Sequence, residues 1–499
     1  MKKFETDLVV IGCGAAGLSS ALSALESGLN VINVERACRE DMGGSTRWTE
    51  ANLLLKTGPN QQGFEIADQF LFSYGMFSSF HTDPEILAET SKDYDSWSML
   101  AKTTPFLDPE VLGAFADSVP STLDWITDKG VVIETTPQYI PYCIETLPYA
   151  KVYGGGLSIV ETLTAKIEEL DGKFLFETTA NELIEEDGTV VGVRCSGKNN
   201  ETIEVYGKVV LASGGFQGNP QMLVQYQGEE SRYLRPVAKG THYNKGEGLK
   251  MALDLNAATA GDWSDSHRQV IDPRSAMSEA MVNIWPFAMM VNQNGKRFMD
   301  EAPSNILEWQ EKPAQEITKQ PGGIAYVIYD EKLASNTDSN WKYGIRTEIQ
   351  PIKADNLNKL ALKLGIPKDQ LNSTVEEFNK ACVNEDKVDY NKGSALTMTL
   401  DGAGTENLTP PKQNYAKAVD QGPYYAYPVI ASVCITYGGL RVNGQAQVVN
   451  ASGEVIPGLY AAGETVGMHY GTYTVGTSVL RGLCFGRIAG LHAANNVTR

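Results

Sequence analysis

The run Gly12-Cys13-Gly14-Ala15-Ala16-Gly17 constrains this chain more than any other feature. It follows the apolar stretch Asp7 to Ile11 (DLVVI) and opens LSSALSALESG, whose Ala/Leu spacing predicts a helix. Gly28 can cap that helix, and LNVINVE then reads as a second buried strand finishing at Glu35, 18 positions after Gly17. A glycine-rich match alone is weak. Strand before, helix after and an acid at this spacing make it a dinucleotide-binding β-α-β unit. Gly12 permits the tight turn, Gly14 lets backbone approach a pyrophosphate at the helix N-terminus, and Gly17 lets helix and strand pack closely. Glu35 can accept ribose hydroxyls, which favours an unphosphorylated ribose, hence FAD or NAD over NADP. Arg36 beside it blurs that preference and is counted with the cofactor-binding residues.

Further glycine-rich segments recur at strand ends. Gly43-Gly44-Ser45-Thr46-Arg47-Trp48 follows the second strand and supplies backbone amides and hydroxyls where a second phosphate or a flavin ring can lie. Asp187-Gly188 breaks two apolar runs as a two-residue hairpin turn. KVVLASGGFQGN ends a β-branched run in Gly214-Gly215, as a strand returning to the nucleotide-binding sheet. From about Gly261 to Leu440 the texture changes, with more Trp, Met, Asn and charged helix formers, and that block reads as an insertion. The tail resumes the earlier style with IPGLYAAGETVG and a helix starting near Ser478, whose first amides can aim at an electron-rich carbonyl.

Composition excludes several classes. The 499 residues suit two to four domains or one large discontinuous one. With 42 Lys+Arg against 61 Asp+Glu the net charge is -19, a far field that repels phosphate backbones and anionic membranes. No stretch approaches 18 uninterrupted apolar residues, so no bilayer span is expected. The seven cysteines are scattered without C-x-x-C pairs, so no metal site, zinc or iron–sulfur cluster is expected. The N-terminal apolar run enters the glycine fingerprint rather than a cleavage site, and a cytoplasmic location is expected.

Taken in order, VVIGCGAAG, GGSTR, VVLASGGFQGN, NGKRFMDE, YGGLRVN, PGLYAAGE and FGRIAGLHAA resemble the fumarate reductase/succinate dehydrogenase flavoprotein superfamily over nearly the whole chain. THYNKGEGLKMAL, DWSDSH and PPKQNYA followed by YPV are most similar to its tricarballylate dehydrogenase branch, with 3-ketosteroid dehydrogenases as further relatives. The resemblance implies an α/β fold. A Rossmann-like FAD-binding domain (1–260 and 436–499) would be split by an inserted α+β capping, or substrate, domain (261–435). By matched position, Gly12, Gly14, Ala16 and Gly17 would bind the FAD pyrophosphate, Glu35 the adenosine ribose, and Gly43, Gly44, Ser45 and Thr46 the phosphate and flavin edge. Ala180 would lie by adenine, Gly214, Gly463 and Glu464 by the ribityl chain, and Ser478 and Val479 would donate to the flavin pyrimidine oxygen. No histidine precedes Gly43-Gly44, so the FAD is expected to be non-covalent. The implied chemistry is two-electron exchange between flavin N5 and a carbon β to a carbonyl, with proton exchange at the α carbon.

Departures from the family pattern carry equal weight. Asn305 stands where fumarate reductases carry a proton-donating Arg and ketosteroid dehydrogenases a Tyr, and Asn cannot donate a proton comparably. Tyr473-Thr474-Val475-Gly476 replaces the Arg-Leu-Gly-Gly that grips a carboxylate, and Ile435-Thr436-Tyr437-Gly438-Gly439 replaces His-Thr-Met-Gly-Gly. Two carboxylates buried without cations would lose several kcal/mol each, so a neutral small-molecule carbonyl substrate, an enone or ketone, is expected. Tyr473 would polarise its oxygen beside the Gly476 or Thr477 amide, as the corresponding Tyr and Gly do in ketosteroid dehydrogenases. His267 is the preferred histidine for a polar contact or proton role, and Tyr437, with Tyr142 behind it, the preferred proton-handling phenol. A tricarballylate-like polycarboxylate held by Arg47, Arg235, Lys239 or Arg481 is the alternative substrate, and a non-catalytic flavoprotein subunit the alternative role. No second dinucleotide fingerprint occurs, so a separate electron donor or acceptor is required. Nucleic acid is not an expected partner, and oligomeric state is left open.

Overall fold

The computed structural model describes residues 1–56, 65–66, 108–134, 149–303, 309, 311–336, 344–390, 400–471, 473 and 476–496. Asn305, Tyr142, Thr474 and Val475 lie outside the described residues. The elements that position the site are β1 (Lys2–Ile11), α1 (Ala15–Glu26), β2 (Val31–Val34), α2 (Gly155–Glu169) and β3 (Thr202–Leu211). They are followed by β4 (Ser266–Ile271), α3 (Lys312–Thr318), β5 (Tyr424–Thr436), β6 (Val455–Ala461) and α4 (Ser478–Asn495). No helix among the described residues is long and apolar enough to cross a membrane.

The first sheet has eight strands, with β6, β3, β1 and β2 side by side and all parallel. A parallel sheet is covered on both faces, so its strands are near-continuous apolar runs. Leu8, Val9 and Val10 of β1 are fully buried, as are Val209, Val210 and Leu211 of β3. The hairpin Thr179–Glu186/Thr189–Ser196 hangs on β3, and its turn residues Asp187 and Gly188 both have positive φ (50° and 79°), the backbone such a two-residue turn requires. Register brings strand ends level. Ile11 pairs with both Val34 and Leu211, and Leu211 with Ala461, so four carboxyl ends open on one side. In doubly wound sheets that crevice takes the ligand.

Helix α4 lies along α1 in the same direction, and the contact is unusually close. Gly482, Gly486 and Gly490 recur every fourth residue, and a Cβ on Gly486 would sit 2.1 Å from Ser19 Oγ and 2.2 Å from Ala16 O. Ser20 Oγ donates to Gly486 O at 2.8 Å, so buried serine hydroxyls find partners across the helix pair. Both helix N-termini therefore point at the same place.

The second sheet has six strands and is organised on β5, which spans 13 residues. β4 pairs antiparallel with β5, and the register slips where His267 faces Ile435 but Arg268 faces Val433. The extra residue, Cys434, makes a bulge, and bulges re-aim side chains. Strands 235–236, 289–292, 324–330 and 352–354 complete this sheet.

Candidate functional site

A cavity of about 300 Å³ opens at the carboxyl ends of the first sheet. Gly12, Gly14, Ala16, Glu35, Arg36, Gly44, Ser45, Thr46, Ala180, Gly214, Gly463, Glu464, Ser478 and Val479 line it, together with His267, Tyr473 and Gly476. Of the residues expected from sequence to bind the cofactor or act in catalysis, Gly17, Gly43 and Tyr437 are not on its wall. Gly17 serves from behind: a Cβ there would lie 1.9 Å from Gly12 O, so the helix could not approach the turn. Gly43 has φ of 113° and a Cβ on it would meet Val160 of α2 at 2.8 Å, which sets the turn into Gly44–Trp48.

The fingerprint turn is tied down by its neighbours. Glu35 Oε2 accepts from Cys13 N at 3.0 Å and Oε1 from Ala37 N at 2.8 Å. A carboxylate offers about four acceptor positions, so hydroxyls can still be received. Burial raises the Glu35 pKa above its ordinary value, and the Ala37 and Cys13 amides oppose that shift. Ala15 N donates to Thr46 Oγ1 at 3.0 Å, which locks the second glycine turn to the start of α1. Arg36 is committed to protein: it donates to Tyr243 O at 3.0 Å and pairs with Glu247 at 2.7 Å. Ser213 Oγ, on the wall, is buried with no hydrogen-bond partner among the described residues.

The second sheet supplies the other wall. Ile435 and Cys434 are adjacent in sequence yet both line the cavity, a consequence of the bulge between β4 and β5. His267 and Gln269, two apart on β4, share the face turned to it. Tyr473 stands beside His267, with ring centroids 4.6 Å apart. The Tyr473 hydroxyl accepts from Ser478 N at 3.2 Å, at the first turn of α4. Burial raises its pKa and the Ser478 amide and Arg481 oppose the shift, so the phenol keeps its proton at neutral pH. Trp48 Nε1 and Asn52 Oδ1, also on the wall, are buried with no hydrogen-bond partner among the described residues.

Sequence reasoning missed Glu311. Its Oε1 accepts from His267 Nδ1 at 2.8 Å, from the Tyr437 hydroxyl, and from Tyr473 N at 3.2 Å. Tyr437 is fully buried behind the wall, and burial, with Glu311 and Asp265 next in effect, pushes its pKa far up, so it acts there as a fixed donor. Arg346 was missed as well. It lines the cavity and lies 3.0 Å from Glu50 and 3.0 Å from Glu279, both on the same wall. Burial raises the Glu279 pKa and Arg346 opposes it. The wall thus carries two arginines, Arg36 paired with Glu247 and Arg346 engaged by Glu50 and Glu279. His267-x-Gln269 carried a strand-face signal, whereas Glu311 and Arg346 belong to no motif and come together with the wall only through tertiary folding.

None of the four cations considered for a carboxylate is on the wall. Arg235 donates to the Arg232 and Leu234 carbonyls, Lys239 pairs with Asp41 at 2.6 Å, and Arg47 lies beside the second glycine turn. Arg481 is 1% exposed, and its guanidinium has no hydrogen-bond partner among the described residues.

The family described as FAD binding domain matches residues 7–479. The chain is 28% identical to an NADH:acrylate oxidoreductase of Vibrio harveyi, over 98% of this chain and 50% of that protein, so it spans about half of that relative's length. It is 26% identical to a 3-oxosteroid 1-dehydrogenase of Mycolicibacterium smegmatis, over 98% of this chain and 97% of that protein. The solved open conformation of a flavocytochrome c3 fumarate reductase superposes with a TM-score of 0.71 at 23% identity, covering 99% of this chain and 78% of that one.

Proposed function

The chain belongs to the FAD-binding-domain family, within the fumarate reductase/succinate dehydrogenase flavoproteins, and from that membership we propose that it is an FAD-dependent oxidoreductase interconverting CH–CH and C=C bonds conjugated to a carbonyl. The chain's own residues fit the cofactor. Two helix N-termini in parallel meet the cavity, glycine turns leave room for pyrophosphate, and the Ser213 hydroxyl is unpartnered on its wall. Gly12, Gly14, Ala16, Thr46 and Glu35 would hold the dinucleotide half, and Gly214, Gly463 and Val479 the flavin half, the Ser478 amide being engaged by the Tyr473 hydroxyl. The absence of a histidine just before Gly43 supports non-covalent binding. FAD, when bound, supplies hydride exchange at N5.

The observation that carries the substrate reading is the pairing of Tyr473 and His267 on that same cavity. The Tyr473 phenol, held by the Ser478 amide, donates to the carbonyl oxygen and stabilises the charge that develops there. His267 handles the proton at the α carbon. Arg346 offers little to a carboxylate, because Glu50 and Glu279 already neutralise it and would repel a second anion. A neutral enone or ketone therefore suits this wall better than a polycarboxylate. The domain division 1–260 with 436–499 around 261–435, a separate electron carrier and a cytoplasmic setting are parts of the same proposal. The free cysteines among the described residues suit a reducing compartment.

A spectral titration tests this reading. Neutral enones and their saturated ketones are expected to perturb the visible spectrum of the FAD-loaded protein saturably, while fumarate and tricarballylate leave it unchanged. Saturable perturbation by the carboxylates alone would overturn the substrate class.

A further inference from the structure

Glu311 immediately precedes α3, and its Oε1 gathers three donors from three separate segments. Two of those donors belong to cavity-wall residues, the His267 imidazole and the Tyr473 main chain; the third is the sealed Tyr437 hydroxyl. A carboxylate can only accept, so His267 Nδ1 carries a hydrogen whether the ring is neutral or charged. The exchangeable nitrogen is then Nε2. It lies 3.0 Å from Gln269 Nε2, and Gln269 is itself on the wall. The Gln269 amide suits both ring states, donating to a bare Nε2 or, turned over, accepting from a protonated one. Asp265, just before β4, accepts from Ser266 N and Gln315 Nε2 and lies 3.5 Å from Arg268, so it is engaged away from the imidazole.

Resting on the functional reading above, we infer that Glu311 is the positioning residue of an acid–base pair in which His267 Nε2 exchanges the proton at the substrate's α carbon while Tyr473 holds the carbonyl oxygen. The same carboxylate oxygen fixes the imidazole and the Tyr473 main chain, so the two reactive groups keep one mutual geometry. In the reducing direction a hydride forms the new C–H bond at the β carbon. The π electron pair moves toward the α carbon and carbonyl oxygen, and the α carbon takes the proton from His267 Nε2. The neutral imidazole regains its proton from water, displacing or passing Gln269. Dehydrogenation runs the same steps backward. Glu311 Oε1 holds the Nδ1 hydrogen and so fixes the ring throughout. This assignment supplies the proton that Asn305 cannot.

The test uses the FAD-loaded full chain and a neutral saturated ketone shown to bind by the spectral titration. Exchange of its α hydrogen into D2O, followed by NMR without an added electron carrier, reads the acid–base pair directly, and the rate at which the matching enone reoxidises the chemically reduced flavin reads turnover. Glu311→Gln is expected to lose 100-fold or more in both rates, with FAD content and ketone Kd within threefold of the parent. His267→Gln should lose as much, and the double variant no more than either single one. Glu311→Asp should recover at least tenfold over Glu311→Gln. If Glu311→Gln keeps both rates within threefold, or loses them only in proportion to lost FAD or ketone binding, the assignment is wrong. Should the parent bind no neutral carbonyl at all, the functional reading falls and this inference falls with it; a parent that exchanges and turns over beside an unimpaired Glu311→Gln sinks the inference alone.

Discussion

Replacing Tyr473 by Phe removes one oxygen atom that has two jobs. The ring stays against His267, where the centroids are 4.6 Å apart. What disappears is the donor to the substrate carbonyl and the acceptor for Ser478 N, which lies 3.2 Å away. Removing one such donor from a developing oxyanion costs about 2.7–4 kcal/mol, or roughly 10²–10³ in kcat. Ser478 N is among the first amides of α4, which have no intrahelical partner, so losing its acceptor costs a further ~1 kcal/mol of stability. Tyr473→Phe is therefore expected to slow flavin reoxidation by an enone by about two to three decades with KM changed less than threefold, and to lower Tm slightly. Anaerobic stopped-flow at the flavin absorbance band measures the first, and a thermal melt the second. A variant within threefold of the parent rate would refute the polarising role of this phenol.

Three other perturbations test the surrounding account. Gly486→Ala gains roughly 1 kcal/mol of helix propensity but forces a Cβ to within 2.2 Å of Ala16 O, an overpacking cost of about 1–3 kcal/mol; a lower Tm with weaker FAD binding is expected, and a higher Tm would contradict the close-packed helix pair. Burial, against the opposing Arg268 charge, raises the Asp265 pKa to about 6. A raised carboxyl pKa gives stability that is complete below its unfolded value near 4 and fades as pH rises through about 6, by up to ~3 kcal/mol. Urea melts of the parent minus Asp265→Asn should show that difference falling from pH 4 to pH 7, and a flat difference would refute it. Arg346→Met leaves Glu50 and Glu279 uncompensated at half-buried sites, costing roughly 1–2 kcal/mol of stability after solvent screening. Enone Kd should stay within threefold by spectral titration; a tenfold rise would make Arg346 a substrate contact.

What the sequence disclosed is what local backbone requirements encode. The turn at Gly12 needs positive φ and the hairpin at Asp187-Gly188 needs it twice, so these residues announce their geometry wherever they occur. The apolar runs of β1 and β3 and the Ala/Ser face of α1 are likewise local patterns. The catalytic wall is not. Cys434 and Ile435 share the cavity because of a bulge that depends on β4 pairing with β5, strands more than 150 residues apart. Glu311 meets His267, Tyr437 and Tyr473 through the folding of four segments, and nothing in WQEKP signals that meeting. Tyr437 shows the converse: a matched motif drew attention to a phenol whose hydroxyl the fold directs at Glu311 instead of the cavity.

Single-turnover reoxidation of the reduced, FAD-loaded chain tests the central claim most directly. Protein purified with one flavin per chain, chemically reduced and mixed anaerobically with a panel of carbonyl compounds, is expected to regain its oxidised spectrum with a neutral enone and to form the saturated ketone in equal amount. Protein that arrives colourless and takes up no FAD, or that is reoxidised by fumarate and by none of the neutral enones, would contradict it.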